Sequence, residues 1–284
     1  MTDRRDPLPT DVDALPPLPA DYDVTLDAGL SALGIELDPM ARMAIADHVR
    51  LLLAWTEAIN LTAIREPAAV AREHVIDSLT ALPLLRALGA RALLDLGSGG
   101  GFPGLPLALA LPAERALLVE SIGKKATFLG AAIDALGVRP RLAVAATRAE
   151  TLARDPHHRE RWPAVTVRAV GALSELVELA LPLLATGGSL VAWKRSIAPA
   201  DDPATADEVS SPRTEPPRAR RLDAELVGGS RAAAALGGRE PAVVPVAVPG
   251  LEDHVLIVIT KIAPTPAGYP RDPSLRRRAP WRED

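Results

Sequence analysis

The feature that most constrains this chain is a glycine-rich segment that follows a short apolar run. The apolar run covers residues 92–96, four glycines lie within 97–101, and a second apolar segment covers 105–111. This order is typical of a buried strand, a tight turn and a helix. Glycine permits positive φ and lets a ligand approach the backbone, and the helix that follows presents unpaired N–H groups. The segment predicts a nucleotide-binding turn, although glycines alone are also typical of a simple sharp turn.

Two acidic residues favour ligand binding and indicate the kind of cofactor. Glu120 ends the next apolar run, about 20 residues further on, where an acceptor for ribose hydroxyls is expected. Asp95 precedes the glycines, at a position where a carboxylate would repel a pyrophosphate. S-adenosylmethionine carries a positive sulfonium and an amino group, so it suffers no such repulsion. The sequence therefore favours a methyl donor over NAD.

Composition excludes several classes of protein. The chain has 284 residues, enough for one large or two small domains, and its formal net charge is −4, so an RNA partner would have to be held by a local basic patch. Cysteine is absent, which excludes disulfides and suits a reducing compartment. No uninterrupted apolar stretch reaches about 18 residues, and the first residues lack the apolar core of a signal peptide. We expect a cytoplasmic protein with no membrane partner.

The two ends of the chain differ in composition from the middle. Residues 1–23 are rich in Pro and Asp, and residues 263–284 are rich in Pro and Arg, so both are predicted to be disordered tails. A single domain is expected over 24–262. The arginine run at 276–278 could contact phosphate or could simply be solvated.

Within that domain, helical spacing at 24–59 predicts an N-terminal helical cap over 24–89, and Asp38-Pro39 marks the start of its longer helix. Strands and helices alternate through a predicted Rossmann-like core over 90–262, which contains a flexible insertion at 197–221. Strands are predicted near 92–96, 116–120, 141–145, 164–168 and 188–194, and helices near 104–111, 123–136 and 173–185. Two further strands, 242–248 and 254–262, form a hairpin signal. The fold class is α/β, with a mostly parallel sheet and an antiparallel edge.

Ligands of such sheets bind outside the carboxyl ends of the strands. That rule nominates the residues that follow each strand, namely Phe102, Glu120, Lys124, Arg148, Ala149, Glu150, Arg168, Lys194 and Arg195. Lys124, Arg148, Arg168 and Arg195 are candidates for contact with a nucleic acid backbone. Each could instead be a solvated surface residue, and Arg168 could instead contact the adenosine of the cofactor.

His74 and Asp77 share a face at helical spacing. The pair could act in acid–base chemistry, or the histidine could fix a loop. No metal site is expected, because the histidines at 157, 158 and 254 show no partner spacing.

Several motifs occur in order along the chain. They are NLTAIREP at 60–67, HVIDSL at 74–79, LDLGSGGGFPGLPLA at 94–108, ESIGKKATFL at 120–129 and RAE at 148–150. Over about residues 24–262 the chain resembles the bacterial 16S rRNA guanine-N7 methyltransferases of the RsmG (glucose-inhibited division protein B) family. The resemblance implies a class I S-adenosylmethionine-dependent methyltransferase. It implies methylation at N7 of a guanine in the 530 loop of 16S rRNA, with the RNA or the small ribosomal subunit as substrate.

The resemblance also implies roles for individual residues. Cofactor contacts would fall on Gly97, Phe102, Ala149, Glu150 and Arg168, and Glu120 would face the ribose. Asn60, His74, Asp77, Lys124 and Lys194 lie in family motifs, and contact with RNA or substrate is the natural expectation for them.

Attack by the N7 lone pair needs no general base, so no catalytic residue is assigned, and His74, Asp77 and Lys194 remain candidates. A monomer is expected. The alternatives are a methyltransferase of the same fold that acts on a small molecule or a protein, and a non-catalytic module that binds S-adenosylmethionine.

Overall fold

The computed structural model describes residues 8–168, 171–196 and 219–281. The chain divides into two compact units. The first comprises Met1–Thr151 and Ala247–Gly250, and the second comprises Leu152–Val246 and Leu251–Asp284. The glycine-rich segment belongs to the first unit.

The regular structure of the described residues ahead of the first strand is helical. They are α1 (Ala20–Leu33), α2 (Pro39–Ile59), α3 (Pro67–Val70), a π-helical segment (Ala71–Ile76), α4 (Asp77–Leu79) and α5 (Leu82–Ala87). The predicted N-terminal helices are therefore present.

Helix α2 begins and ends at residues that suit those positions. The Asp38 carboxylate accepts the Met40 N–H over 2.8 Å, and Pro39 occupies the first helical position, where no backbone donor is needed. The helix ends at Asn60, which has φ 52° and ψ 66° and donates its N–H to Thr56 O. Asn tolerates the left-handed region better than most residues. The presence of Asn at position 60 is therefore explained by the end of α2, in addition to its place in a family motif.

The first unit contains three parallel strands in the order β3-β2-β1. They are β1 (Ala92–Leu96), β2 (Arg115–Val119) and β3 (Leu142–Ala145), connected by α6 (Gly104–Ala110) and α7 (Gly123–Ala135). Leu96 pairs with Val119, which in turn pairs with Ala145. The segments that follow the three strands therefore leave the sheet at the same edge.

The second unit is built around four strands in the order β4-β5-β7-β6. After α8 (Ala149–Arg154) the elements are β4 (Trp162–Val167), α9 (Leu173–Ala180), β5 (Leu184–Arg195), α10 (Ala219–Leu236), β6 (Ala242–Pro245), β7 (His254–Thr260) and α11 (Pro273–Arg278). Strand β4 pairs parallel with β5, whereas β7 pairs antiparallel with both β5 and β6. The predicted parallel strands and the antiparallel hairpin are confirmed.

Two elements of the second unit differ from the prediction. Helix α9 ends at Ala180 instead of continuing to residue 185, because Pro182 has no N–H with which to continue the helix. Helix α10 was not predicted, since its two central glycines are unfavourable in a helix. The structure explains one of them: a Cβ on Gly229 would lie 2.5 Å from Leu173 Cδ2, so the glycine permits close contact between α10 and α9.

The predicted disorder at the N-terminus is wrong for residues 8–23. Helix α1 begins at Ala20, and the preceding segment is held by side chains of α2. Trp55 Nε1 donates to Pro9 O over 2.7 Å, and the Arg50 guanidinium donates to Val12 O over 2.8 Å. The Pro-rich composition predicts a solvated chain, but these backbone carbonyl groups accept hydrogen bonds from side chains of α2.

The predicted disorder at the C-terminus is wrong for residues 263–281. Glu178 of α9 is fully buried, and its carboxylate accepts hydrogen bonds from the Arg271 guanidinium and from Trp281 Nε1. Burial raises the pKa of Glu178, but these donors outweigh burial and hold the pKa below its usual value. A buried carboxylate needs such partners, and the C-terminal segment supplies them. Of the predicted insertion, residues 197–218 lie outside the described residues.

Candidate cofactor-binding site

The turn after β1 has the backbone that its glycines predict. Gly97, Gly99 and Gly101 have φ values of 71°, 54° and 96°, a region that favours glycine because it carries no Cβ. Gly101 donates its N–H to Ser98 O over 2.7 Å, which closes the turn just before α6.

Three other glycines of this segment face packed side chains. A Cβ on Gly100 would lie 2.8 Å from Leu52 Cδ1, and one on Gly101 would lie 2.7 Å from His48 Nε2. Both of those neighbours belong to α2. A Cβ on Gly104 would lie 2.7 Å from Asp95 Cβ. Helix α2 therefore packs against the turn itself, and β1 packs against the first residue of α6.

Gly97 faces open space. A Cβ added there would meet no atom within 4 Å, and the residue is exposed. A Cβ on Gly123, which begins α7, would also meet nothing. A ligand can therefore approach the backbone of the turn from this side, as a cofactor site requires.

Glu120 fastens the turn to the start of the next helix. Its Oε2 accepts the Gly99 N–H over 2.9 Å, and its Oε1 accepts the Ile122 N–H over 2.7 Å. The residue is 5% exposed. Each carboxylate oxygen has a second lone pair, so Glu120 retains acceptor capacity for hydroxyl donors such as those of a ribose.

The Phe102 ring contacts two histidine rings. Its centroid is 4.7 Å from that of His48 and 4.9 Å from that of His74, and the residue is 5% exposed. The ring is therefore placed to support the turn from within the first unit.

His48 is the residue of this site that the sequence alone did not reveal. It is fully buried on α2, and its Nε2 lies 2.8 Å from Gly100 O. Burial lowers the pKa of His48 to about 4. Because a carbonyl can only accept, Nε2 carries the proton. The sequence shows only that His48 lies four residues before Leu52 on the apolar face of the helix, and this position does not reveal its partner.

His74 contacts the loop that follows α2. Its Nε2 lies 2.7 Å from Thr62 Oγ1, which also accepts the Ile64 N–H over 3.0 Å. The hydroxyl proton can therefore be donated to the imidazole. This contact supports the alternative that His74 fixes a loop, while Asp77 is buried at the start of α4.

The remaining candidates of the first unit lie after β2 and β3. Lys124 and Arg148 are exposed and follow adjacent parallel strands, so both lie at the carboxyl edge of the sheet. Ala149 begins α8, and Glu150, its neighbour, is buried.

The candidates of the second unit follow β4 and end β5. Arg168 is half-buried. Lys194 Nζ donates to Gly171 O and lies 2.5 Å from Glu225 Oε2, and its side chain is 9% exposed. Glu225 Oε2 also accepts the Leu173 N–H over 3.2 Å, at the start of α9. Lys194 therefore joins β5 to α9 and α10, an arrangement that favours a positioning role over direct RNA contact.

Arg195, the last residue of β5, is better placed to reach a ligand than Lys194. Its side chain is 43% exposed, and it pairs with Asp253 over 3.4 Å.

Among the described residues, no group of three or more His, Cys, Asp or Glu side chains could hold a metal ion. None of the helices in the described ranges combines the length and hydropathy needed to cross a bilayer.

Comparison with known proteins agrees with the resemblance. The model of the family described as rRNA small subunit methyltransferase G matches residues 42–214. The chain belongs to the rRNA small subunit methyltransferase G family. A member from Roseiflexus sp. (strain RS-1) is 41% identical over 249 residues, which is 88% of this chain and 95% of that protein. A member from Deinococcus deserti is 39% identical over 257 residues, or 89% and 93% of the two chains.

Solved structures confirm the methyltransferase fold for this member of the rRNA small subunit methyltransferase G family. An O-methyltransferase from Bacillus cereus in complex with SAH superposes with a TM-score of 0.51 at 17% identity, over 82% of this chain and 95% of that one. Trm1 from Pyrococcus horikoshii with S-adenosyl-L-methionine gives a TM-score of 0.51 at 16% identity, over 69% and 57% of the two chains. At these identities the likeness concerns the fold alone.

Proposed function

We propose that this protein transfers a methyl group from S-adenosylmethionine to N7 of a guanine in the 530 loop of 16S rRNA. The observation that carries the proposal is the open side of Gly97, on a turn fastened by Glu120, in a chain of the rRNA small subunit methyltransferase G family. The turn supplies the place for a cofactor, and the family relationship supplies the reaction.

The residues present fit the proposed cofactor. Gly97 would let it approach the backbone, and Glu120 would accept the ribose hydroxyls on its remaining lone pairs. Ala149, Glu150 and Arg168 complete the proposed contacts, and Phe102 supports the turn. When bound, S-adenosylmethionine supplies an electrophilic methyl group on its sulfonium.

The chemistry demands little beyond positioning. Guanine N7 carries a lone pair and no proton, so the protein need not abstract a proton before attack. Holding the two reactants in line can lower the barrier by about 7–11 kcal/mol. The methylated ring is cationic, so a nearby carboxylate or carbonyl group would stabilise it. His74 and Lys194 accordingly act as positioning residues, consistent with their contacts to Thr62 and Gly171.

The chemistry also restricts the RNA. N7 lies on the major-groove edge, which A-form RNA hides in a deep and narrow groove. The target guanine is therefore in a loop or is unstacked, at a cost of a few kcal/mol. Lys124 and Arg148, exposed at one edge of the sheet, and Arg195 are proposed to contact the phosphates. The absence of cysteine suits action in the cytoplasm, where we propose that the protein acts as a monomer.

The test is to map N7-methylguanosine in 16S rRNA from cells with and without the gene. The purified protein is then given labelled S-adenosylmethionine and either naked 16S rRNA or small subunits from the deletion strain. We expect one guanine of the 530 loop to lose its methyl group in the deletion strain and to regain it in vitro. A modification pattern unchanged by deletion would refute the proposal. Cofactor binding without transfer to RNA would indicate a non-catalytic module, or a small-molecule or protein substrate.

A further inference from the structure

We infer that His48 is a positioning residue for the cofactor turn: its Nε2–H and its ring hold Gly100 and Phe102 in the arrangement that leaves Gly97 open to the cofactor. The inference rests on the proposed function, since the turn is taken as the cofactor site. It assigns to helix α2, which lies outside the sheet, an indirect part in cofactor binding, through the turn that it holds.

The first contact is the hydrogen bond between His48 Nε2 and Gly100 O, 2.8 Å long. His48 lies within the 21-residue helix α2 and is fully buried, so the donor is carried by a rigid element. Gly100 is the third of the four glycines in the turn. The turn is therefore held on one side by Glu120, through the Gly99 N–H, and on the other by His48, through a carbonyl.

The second contact is made by the imidazole ring. The ring lies 4.7 Å from Phe102 between centroids, and it occupies the space where a Cβ on Gly101 would project. The Phe102 ring also stacks on the His74 ring, with the centroids 4.9 Å apart. Phe102 cannot move towards α2 without displacing His48, so the ring fixes the end of the turn as well as its middle.

The environment selects one protonation state of His48. Burial disfavours the imidazolium, and the Gly100 carbonyl requires the proton on Nε2. His48 Nδ1 is buried and has no hydrogen-bond partner among the described residues. A side chain that merely filled space would be apolar, whereas here a polar group is buried to supply a single donor to the turn.

Two substitutions separate the hydrogen bond from the ring. His48→Phe keeps an aromatic ring and removes the donor, whereas His48→Gln keeps an N–H donor and removes the ring. Titration calorimetry with S-adenosylhomocysteine, together with thermal unfolding, reads out both effects. We expect His48→Phe to weaken binding by about tenfold or more, as loss of one buried hydrogen bond predicts. His48→Gln keeps the donor but loses the ring contact with Phe102, so it should weaken binding by only about threefold, and RNA affinity should be unchanged in both variants.

Leu51→Ala is the matched control, because Leu51 is a fully buried residue of the same helix. It should lower the melting temperature and leave the affinity for S-adenosylhomocysteine unchanged. The inference is wrong if His48→Phe binds as tightly as wild type, or if Leu51→Ala weakens binding as much as His48→Phe does. If His48→Phe does not fold, His48→Leu replaces it, and its comparison with His48→Gln, which also lacks the ring, isolates the hydrogen bond. Failure of the wild-type protein to bind S-adenosylhomocysteine would instead refute the proposed function.

Discussion

The Gly99 amide donates a hydrogen bond of 2.9 Å to Glu120 Oε2, which ties the turn after β1 to the residue that follows β2. The second oxygen of the same carboxylate accepts the Ile122 N–H. Glu120 thus holds two backbone segments at the edge of the sheet, in addition to the proposed contact with a ribose. A change at this position acts on the shape of the site and on the ligand contact together.

Replacing Glu120 should weaken cofactor binding, and Ala should weaken it more than Gln. Glu120→Ala leaves the Gly99 and Ile122 amides without their acceptor, a loss of about 1–3 kcal/mol for each buried group. We expect the affinity for S-adenosylhomocysteine in calorimetry to fall about 100-fold. Glu120→Gln keeps one acceptor oxygen and should lose about tenfold. Glu114→Gln, at the exposed residue that precedes β2, should have no effect on this affinity, and wild-type affinity of Glu120→Ala would contradict the assignment.

Gly97→Val should abolish cofactor binding while the protein still folds. The side chain would enter the open space beside the turn and would also meet a φ of 71°. Gly34→Val is the matched control, because Gly34 has a φ of 62° and equally open surroundings, at the end of α1. Both variants should lose about 1–3 kcal/mol of stability from backbone strain. Only Gly97→Val should lose binding in calorimetry, and equal affinities of the two variants would show that the cofactor lies elsewhere.

Acid should destabilise the protein through His48. Burial lowers the pKa of this imidazole from 6.5 in the unfolded chain to about 4 in the fold. The unfolded state therefore binds the proton first, and the free energy of unfolding falls as the pH drops from 6.5 to about 4. The loss is about 3 kcal/mol at about 1.4 kcal/mol per pH unit.

Urea unfolding of wild type and His48→Phe across that pH range measures this contribution. The curve of the variant should be flatter by about 3 kcal/mol, because other titrating groups are common to both proteins. Parallel curves would mean that His48 is protonated in the folded state at the same pH as in the unfolded chain.

Lys194 should prove to be a positioning residue instead of a phosphate contact. Its ammonium group pairs with the carboxylate of Glu225. A lysine that served only to bind phosphate would not need this partner. Lys194→Met and Glu225→Gln should therefore weaken RNA binding to a similar extent. In unfolding experiments, the double variant should lose less stability than the sum of the losses in the two single variants. We expect a coupling free energy of about 1 kcal/mol or more from a double-mutant cycle. If only the lysine change weakened RNA binding, direct contact would be indicated.

The rim formed by Lys124 and Arg148 should contribute electrostatic affinity for RNA. The double variant Lys124→Ala/Arg148→Ala should bind 16S rRNA fragments more weakly. The slope of log affinity against log salt should become shallower by about 0.7 for each lost phosphate contact. Arg115→Ala is the control, because Arg115 is exposed at the opposite end of β2. An unchanged slope in filter binding would place the RNA on another surface.

The parts of the fold that the sequence predicts well are those with local signals. The glycines after β1 and the alternation of strands and helices follow from residues close together in the chain, and the helix start at Asp38 is equally local. Helix α10 is different, because Gly229 is explained only by its contact with Leu173, which is distant in sequence. Composition also misled at the C-terminus, because only the folded chain shows that Arg271 is the partner of buried Glu178.

The site shows the same limit. Gly97 and Glu120 could be nominated from spacing, since the ends of adjacent parallel strands must meet at one edge. His48 could not, because its partner, Gly100, lies 52 residues away and a single histidine on an apolar helix face has no local signature. The position of Lys194 at the end of a strand makes it a site candidate from the sequence, but its role does not follow from the sequence. The role depends on Glu225, which lies on a helix that the sequence does not predict.

The dependence of Glu178 on the last residues of the chain has a genetic consequence. A stop codon shortly after Thr265 would delete none of the residues proposed to bind cofactor or RNA. It would nevertheless remove Arg271 and Trp281, and a carboxylate in the interior of the second unit would lose both of these donors. We expect such alleles to behave as loss of function through degradation of the protein, so late truncations found in natural isolates should be classed with null alleles.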